Sequence, residues 1–174
     1  MRTSTALHQE VFFGGALSMN LRQLIPAECV ILELSSSEHE DVIREMVAHL
    51  ASIGKILVED CSRFSEAVIG RELQVGTGLG SGVAIPHARV EGPDEILAVF
   101  ARSKEGVDFE SPDNAPAHCI VLLLAPEGQT AKHLQTLSEL AKVFSQCECR
   151  EELQAATTAA EISAIFSSEA IQPH

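Results

Sequence analysis

Residues 76–89 carry the sequence GTGLGSGVAIPHAR, in which a glycine-rich turn and a short apolar strand lead to a proline–histidine pair. Glycine at every second position allows backbone N–H groups to approach an anion closely, because no Cβ stands in the way. Pro86 fixes its own φ and restricts Ile85, so a rigid backbone carries the imidazole of His87. A histidine beside an anion-binding turn suits reversible phosphorylation on nitrogen, and His87 is the first candidate functional residue.

The composition favours a soluble globular domain. The chain has 174 residues, of which 45% are apolar, and this length suits one domain with a complete core. A net charge of −13 and the absence of Trp and Tyr argue against binding of nucleic acid. The acidic charge also disfavours anionic membranes, and no apolar run approaches the roughly 20 residues of a membrane span. We expect a cytoplasmic protein that contacts neither nucleic acid nor membrane.

The N-terminal region differs from the rest of the chain. Its apolar segment 11–17 is short, and only Arg2 supplies positive charge ahead of it. No convincing cleavage site follows, so we do not expect a signal peptide. We expect residues 1–20 to be a disordered extension and residues 21–168 to form the domain.

The five cysteines form no even framework for disulfides. Cys29 and Cys119 fall in apolar segments, where buried and reduced thiols are common. Cys147 and Cys149 could be half of a metal site, but no second Cys/His pair at zinc spacing accompanies them. We therefore interpret that pair as part of a helix end and predict no metal and no cofactor.

Apolar segments and helical periodicities alternate along the chain, which predicts an α/β (α+β) fold. Strands are predicted at 29–34, 83–85, 96–101 and 119–124, and helices at 38–52, 62–70, 131–146, 151–156 and 160–167. Ser37 and Thr130 are the predicted caps of two helices, and Arg71 and Glu72 lie at or just past the end of the second helix. Strands 96–101 and 119–124 could pair in either direction. We therefore expect a three-layer αβα sandwich with a mixed parallel and antiparallel sheet.

His133 is the second candidate, and the residues alone support two interpretations. Leu137, Leu140 and Phe144 share its face of the predicted helix, which is typical of a core histidine bonded to backbone. His133 also falls in the first turn after Thr130, where free N–H groups and the helix dipole favour an anion. In that place its ring could donate a hydrogen bond to a phosphoryl group. Both interpretations stay open at this point.

Other residues near the motif are weaker candidates. Arg71 could supply the fixed positive charge that a phosphorylated histidine requires, or could be a solvated arginine at a helix end. In the glycine-rich loop, Thr77, Gly78, Gly80 and Ser81 could support the phosphoryl group, and Thr77 could equally close a turn. The loop matches neither a P-loop nor a dinucleotide fingerprint, and the G-x-S-x-G motif of serine hydrolases is absent.

Several of these segments, in this order, closely resemble the type 2 IIA domains of the bacterial phosphoenolpyruvate:sugar phosphotransferase system. This family includes fructose/mannitol and nitrogen-regulatory members. The resemblance runs from about residue 21 to residue 166. It is carried by RE at 71–72, the glycine run 76–82, AIPHAR at 84–89, KHL at 132–134, VDF at 107–109 and LLLAPEG at 122–128.

The resemblance implies that His87 is phosphorylated on Nε2, with Arg71 and His133 supporting the phosphohistidine. The donor would be the histidine-containing phosphocarrier protein or its nitrogen-branch paralogue. The phosphoryl group would go on to a sugar IIB domain or would regulate a partner. Ser81 departs from the family, which often has Asn or Asp there, and so does the pair 118–119. The alternative is a non-enzymatic interaction module of the same fold, related to the cytoplasmic domains of anion exchangers.

Overall fold

The computed structural model describes residues 20–167. The helices are α1 (Leu21–Leu24), α2 (His39–Ser52), α3 (Cys61–Gln74), α4 (Thr130–Ser145), α5 (Cys147–Ala155) and α6 (Ala159–Ile165), with 3-10 turns at Ala27–Cys29 and Val58–Asp60. The strands are β1 (Val30–Ile31), β2 (Gly78–Gly80), β3 (Val83–Ala84), β4 (His87–Val90), β5 (Leu97–Val107) and β6 (Ala117–Pro126).

One mixed sheet forms the centre of the described residues. The two long strands β5 and β6 pair antiparallel. On one side β1 joins β5 in parallel. On the other side β3 and β4 both run parallel to β6, and β2 pairs antiparallel with β3. The predicted mixed sheet is confirmed, and the open direction of the pairing between the two long strands is settled as antiparallel.

The sheet is buried on both faces because its central strands are apolar at nearly every position. Successive residues of β5 and β6 point to opposite sides, and each side has its own core. Phe100, Val121 and Leu123 pack toward α4, α5 and α6, whereas Leu122 and Leu124 pack toward α2 and α3. This arrangement confirms the predicted three-layer αβα sandwich.

The first predicted strand, 29–34, is largely wrong. Cys29 ends a 3-10 turn, and only Val30–Ile31 pairs with β5. After Ile31 the main-chain pairing with β5 stops. The carbonyl of Leu32 accepts a hydrogen bond from the side chain of Arg102 instead, with Nε as donor at 3.1 Å. Leu34 returns to the sheet for a single bond, from its N–H to the carbonyl of Arg102.

The predicted cap of α2 is also wrong. The helix begins at His39 with Glu38 as its N-cap residue, and Ser37 makes no capping bond. The Glu45 carboxylate reaches back and accepts the N–H groups of residues 35 and 36, each at 2.9 Å. Those bonds fix residues 35 and 36 ahead of the helix, which starts one residue later than predicted.

Helix α3 is longer than predicted and includes Arg71 and Glu72 in its last turn, since it ends at Gln74. Gly70 does not stop it: its backbone stays helical, because the burial of Phe64 and Val68 outweighs one weak residue. This extension matters for the site because it places the side chains of residues 71 and 72 on a rigid helix.

The predicted strand at 83–85 continues past Pro86 as β4. Val83 pairs with Cys119 and His87 pairs with Leu123, so β3 and β4 keep the same register against β6. Pro86 has no N–H to give to the ladder, but its carbonyl accepts from Leu123 N at 3.0 Å. The proline therefore interrupts the strand without shifting it, and the register of β6 fixes the position of His87.

No helix within residues 20–167 has the length and apolar character needed to cross a membrane. The predicted disordered extension over residues 1–20 lies, except for Asn20, outside the described residues. The domain limits 21–168 stay a prediction.

Two glycine substitutions should change stability in opposite directions. A Cβ at Gly78 would lie 2.8 Å from the carbonyl oxygen of Phe109 and closer still to Ser111 Oγ, whereas a Cβ at Gly70 meets nothing within 4 Å. We expect Gly78→Ala to lower the free energy of unfolding by about 1–3 kcal/mol. Gly70→Ala should raise it by about 0.5–1 kcal/mol, because alanine is the better helix former. Urea unfolding measures both, and a neutral Gly78→Ala would contradict the packing.

Candidate functional site

His87 is the first residue of β4 and is half-buried. Its Nδ1 lies 2.7 Å from the carbonyl oxygen of Ile85. A carbonyl oxygen can only accept, so Nδ1 carries the hydrogen and Nε2 keeps the lone pair. Burial lowers the pKa of His87, and the charge of Arg71 lowers it further, whereas the bond to Ile85 opposes both. The ring is therefore neutral near pH 7, with Nε2 as the nucleophilic nitrogen.

His133 lies in the first turn of α4 beside His87, with the two ring centroids 5.3 Å apart and the rings inclined at 74°. It is 7% exposed, and its Nε2 is buried without a hydrogen-bond partner among the described residues. Burial lowers the pKa of His133 to about 4, with smaller contributions from His87 and Arg89. A neutral ring with an unpartnered nitrogen beside the nucleophile supports the interpretation as a ligand-binding residue.

The start of α4 differs from the expected cap. Gln129 is the N-cap residue and makes no capping bond through its side chain, and Thr130 is already the first helical residue. The hydroxyl of Thr130 instead accepts a hydrogen bond from Arg89 Nη1 at 3.1 Å. The first N–H groups of a helix have no partner within the helix, so this end of α4 favours a negatively charged ligand.

Two arginines lie on the walls of the site. Arg71, in the last turn of α3, lines the cleft beside His87, and its Nη1 donates to the carbonyl of Val75 at 3.3 Å. Arg89 was missed by the sequence prediction. It follows His87 by two residues in β4, and alternate residues of a strand share a face, so the spacing alone could have indicated it.

A cleft of about 790 Å³ connects these groups. We call it the His87 cleft. Its polar lining consists of Glu66, Arg71, Gln74, His87, Arg89, Glu127, Thr130 and His133. A second cavity of about 360 Å³ lies against it and shares Arg71, His87 and Leu137. The structure thus brings together His87, His133 and Arg71, the three residues that the sequence singled out for chemistry.

The glycine-rich loop is placed differently from its expected role. The N–H of Gly78 donates to the carbonyl of Phe109 at 3.1 Å, and the N–H of Ser81 donates to Asp113 Oδ2 at 2.8 Å. Thr77 and Gly78 line the smaller cavity, whereas Gly80 and Ser81 line neither cavity at His87. The loop packs tightly against the segment 109–113, and its support of a phosphoryl group stays a prediction.

The cysteines lie away from the cleft. Cys147 is the exposed first residue of α5, and Cys149 is buried two residues later. Within residues 20–167 no three His, Cys, Asp or Glu side chains are grouped so as to hold a metal ion.

The fold is that of IIA domains of a phosphotransferase system. Nitrogen regulatory protein IIA-Ntr from Neisseria meningitidis superposes with a TM-score of 0.76, at 34% identity, over 84% of this chain and 98% of that chain. The fold also occurs in the complex of enzyme IIAMtl with phosphorylated enzyme IIBMtl from Escherichia coli. That match has a TM-score of 0.66 at 24% identity and covers 80% of this chain and 94% of that chain.

Sequence comparisons give the family. Residues 23–169 match the family described as phosphoenolpyruvate-dependent sugar phosphotransferase system, EIIA 2, and the chain belongs to it. The fructose-specific EIIABC component of Bacillus subtilis is 39% identical over 78% of this chain, which spans only 21% of that protein. The nitrogen regulatory protein of Bradyrhizobium diazoefficiens is 31% identical over 89% of this chain and 97% of its own length. The chain is thus a phosphoryl-transfer component of this system.

The low pKa of His133 predicts a dependence of stability on pH. The ring titrates near pH 4 when folded and near about 6.5 when unfolded, so between these values the unfolded chain binds more protons. Stability should therefore fall by about 2 kcal/mol as the pH falls from about 7 to about 5, a range above most carboxyl pKa values.

Urea unfolding at several pH values checks this dependence. His133→Gln should remove much of it, and His49→Gln, at a histidine outside the cleft, should retain it. An unchanged pH dependence in His133→Gln would show that the buried ring does not titrate as described.

Proposed function

We propose that Nε2 of His87 accepts a phosphoryl group from a phosphohistidine of the histidine-containing phosphocarrier protein or its nitrogen-branch paralogue. One observation carries the proposal. The Nδ1–H of His87 is bonded to Ile85, which leaves its Nε2 lone pair free at a cleft lined by two arginines and by His133, whose buried Nε2 has no hydrogen-bond partner among residues 20–167. Nucleophile, positive charge and hydrogen-bond donor therefore meet in one place.

The transfer is a displacement at phosphorus. The lone pair of His87 Nε2 forms the new bond to phosphorus, and the bond to the donor nitrogen breaks with its electron pair returning to the donor ring. As the bond forms, positive charge develops on the His87 ring, and the carbonyl of Ile85 stabilises it through the Nδ1–H bond. Arg71 and Arg89 neutralise the phosphoryl oxygens, and His133 donates to one of them.

Exposed apolar side chains at the two cavities and close to Arg71 in the chain provide a docking surface for the protein donor and acceptor. They are Leu79 and Leu134 at the cavities, and Leu73 and Val75 shortly after Arg71 in the sequence. Leu134 lines the His87 cleft and Leu79 lines the smaller cavity. A phosphohistidine is carried on another protein, so burial of these apolar side chains against that protein would favour docking. The charged groups of the cleft would act on the phosphoryl group itself.

The acceptor distinguishes two roles within the family. The relatives include a fructose-specific component and a nitrogen regulatory protein. The solved Escherichia coli mannitol complex contains a phosphorylated IIB partner. We propose onward transfer to a IIB domain or regulation of a partner through the phosphorylation state, in the cytoplasm. A non-enzymatic module is not favoured, because such a module has no use for a neutral nucleophile facing two arginines.

Phosphorylation in vitro tests the proposal. The protein is incubated with phosphoenolpyruvate, enzyme I and the phosphocarrier protein, and intact mass is measured. The wild type and His49→Gln should gain the mass of one phosphoryl group, and His87→Ala should gain none. Absence of phosphate on the wild type, or its persistence on His87→Ala, would overturn the proposal.

Arg89 should contribute to the rate of transfer. Its guanidinium lies in the cleft and is held by the hydroxyl of Thr130. We expect Arg89→Ala to lower kcat for phosphorylation by about 10–100-fold, because one fixed cation is lost while Arg71 remains. Arg22→Ala, in α1 and outside the cleft, is the matched control. Transfer at the wild-type rate in Arg89→Ala would exclude this role.

A further inference from the structure

Glu72 is a buried carboxylate that the proposed transfer does not use. It is 5% exposed in the last turn of α3, directly after Arg71. It accepts two hydrogen bonds, from Thr77 N at 2.9 Å and from Thr77 Oγ1, and no ion pair to it is found within residues 20–167. Burying a carboxylate without a cation is costly, so its contact with Thr77 needs an explanation.

The segment 76–78 is held to α3 through Thr77. It stands between Gly76 and Gly78, which have no side chains to anchor the backbone. Backbone bonds also hold the segment, from Gly78 N to the carbonyl of Phe109 and from Ile85 N to the carbonyl of Thr77. Glu72 adds the two bonds to Thr77 that tie this glycine-containing stretch to α3.

From Thr77 the bonds continue to the nucleophile. The carbonyl of Thr77 accepts from Ile85 N at 3.1 Å, and the carbonyl of Ile85 accepts from His87 Nδ1 at 2.7 Å. In extended backbone the N–H and C=O of one residue point to the same edge, so the bond at Ile85 N also orients the carbonyl that accepts from His87. A series of hydrogen bonds thus runs from Glu72 in α3 through Thr77 and Ile85 to the imidazole ring of His87.

We propose that Glu72 is a positioning residue that holds His87 in the Nδ1–H tautomer through Thr77 and Ile85. The inference rests on the proposed function, in which Nε2 must keep its lone pair. It assigns Thr77 a role through its main chain. The single hydroxyl hydrogen of Thr77 is given to Glu72, so in this arrangement it is not available to a phosphoryl oxygen.

A direct electrostatic effect of Glu72 on His87 is the competing explanation, and the choice of variants separates the two. Glu72→Gln removes the charge and weakens the bonds to Thr77. Thr77→Val removes one of those bonds and leaves the charge in place. Positioning predicts the same change in both variants, whereas a purely electrostatic effect predicts a change in Glu72→Gln alone.

The tautomer of His87 is measured by long-range ¹H–¹⁵N correlation spectra of the imidazole in the full chain. The wild type should show Nδ1 protonated and Nε2 unprotonated. Glu72→Gln and Thr77→Val should both show a measurable population of the Nε2–H form, and Thr77→Ser should restore the wild-type spectrum. The control is Glu45→Gln, which alters another carboxylate that accepts backbone N–H groups, away from the cleft, and should leave the tautomer unchanged.

Phosphorylation kinetics give the second measurement. Loss of one ordinary hydrogen bond predicts a fall in kcat of about 2–12-fold in both Glu72→Gln and Thr77→Val. Thermal unfolding shows that each variant is folded under the conditions used. If Glu72→Gln is too unstable, Thr77→Val compared with Thr77→Ser tests the proposal, because a purely electrostatic effect predicts no change in Thr77→Val.

The outcomes distinguish this inference from the function on which it rests. A wild-type tautomer in both Glu72→Gln and Thr77→Val overturns it, and so does a change confined to Glu72→Gln. A wild type that accepts no phosphate defeats the proposed function, while the spectra still decide whether Glu72 sets the tautomer of His87.

Discussion

The hydrogen bond from His87 Nδ1 to the carbonyl of Ile85 is the interaction on which the site depends. It requires that the carbonyl point away from β6, and the bond from Ile85 N to Thr77 on the same edge meets that requirement. Pro86 lies between the two residues, and its pyrrolidine ring fixes its own φ without shifting the register of the strand against β6. The central sheet therefore determines the chemical state of one imidazole.

Electrostatics at the cleft differ from those of the whole chain. The net charge is −13, yet the walls around His87 carry Arg71 and Arg89. Glu66 and Glu127 line the same cleft, so its positive region is small. A long polyanion would meet repulsion around this region, whereas a single phosphoryl group on a protein side chain fits within it. The total charge of the chain disfavours a polyanionic partner, whereas the arginines of the cleft favour a small anion.

Local patterns in the sequence predicted His87, the mixed sheet and the three layers, because glycine spacing, proline and apolar runs act over a few residues. Thr130 and Ser37 were wrong as caps because side chains far along the chain, Arg89 and Glu45, supply the bonds that decide the local structure. His133 could not be resolved from the sequence, since burial and ligand binding use the same helix face. Tertiary contacts decided the two caps, and they place the ring of His133 beside that of His87, while its role in binding a ligand stays a prediction.

The unbroken register of β3 and β4 against β6 also limits how this protein can vary. Alternate residues of β4 face opposite layers, and Ala88 packs in the core beside α2 and α3. One residue inserted between Val83 and His87 would move the histidine onto that core-facing side, away from His133 and the arginines. The segment should therefore tolerate a change of side chain far more readily than a change of length, because its register against β6 sets which layer of the fold His87 faces.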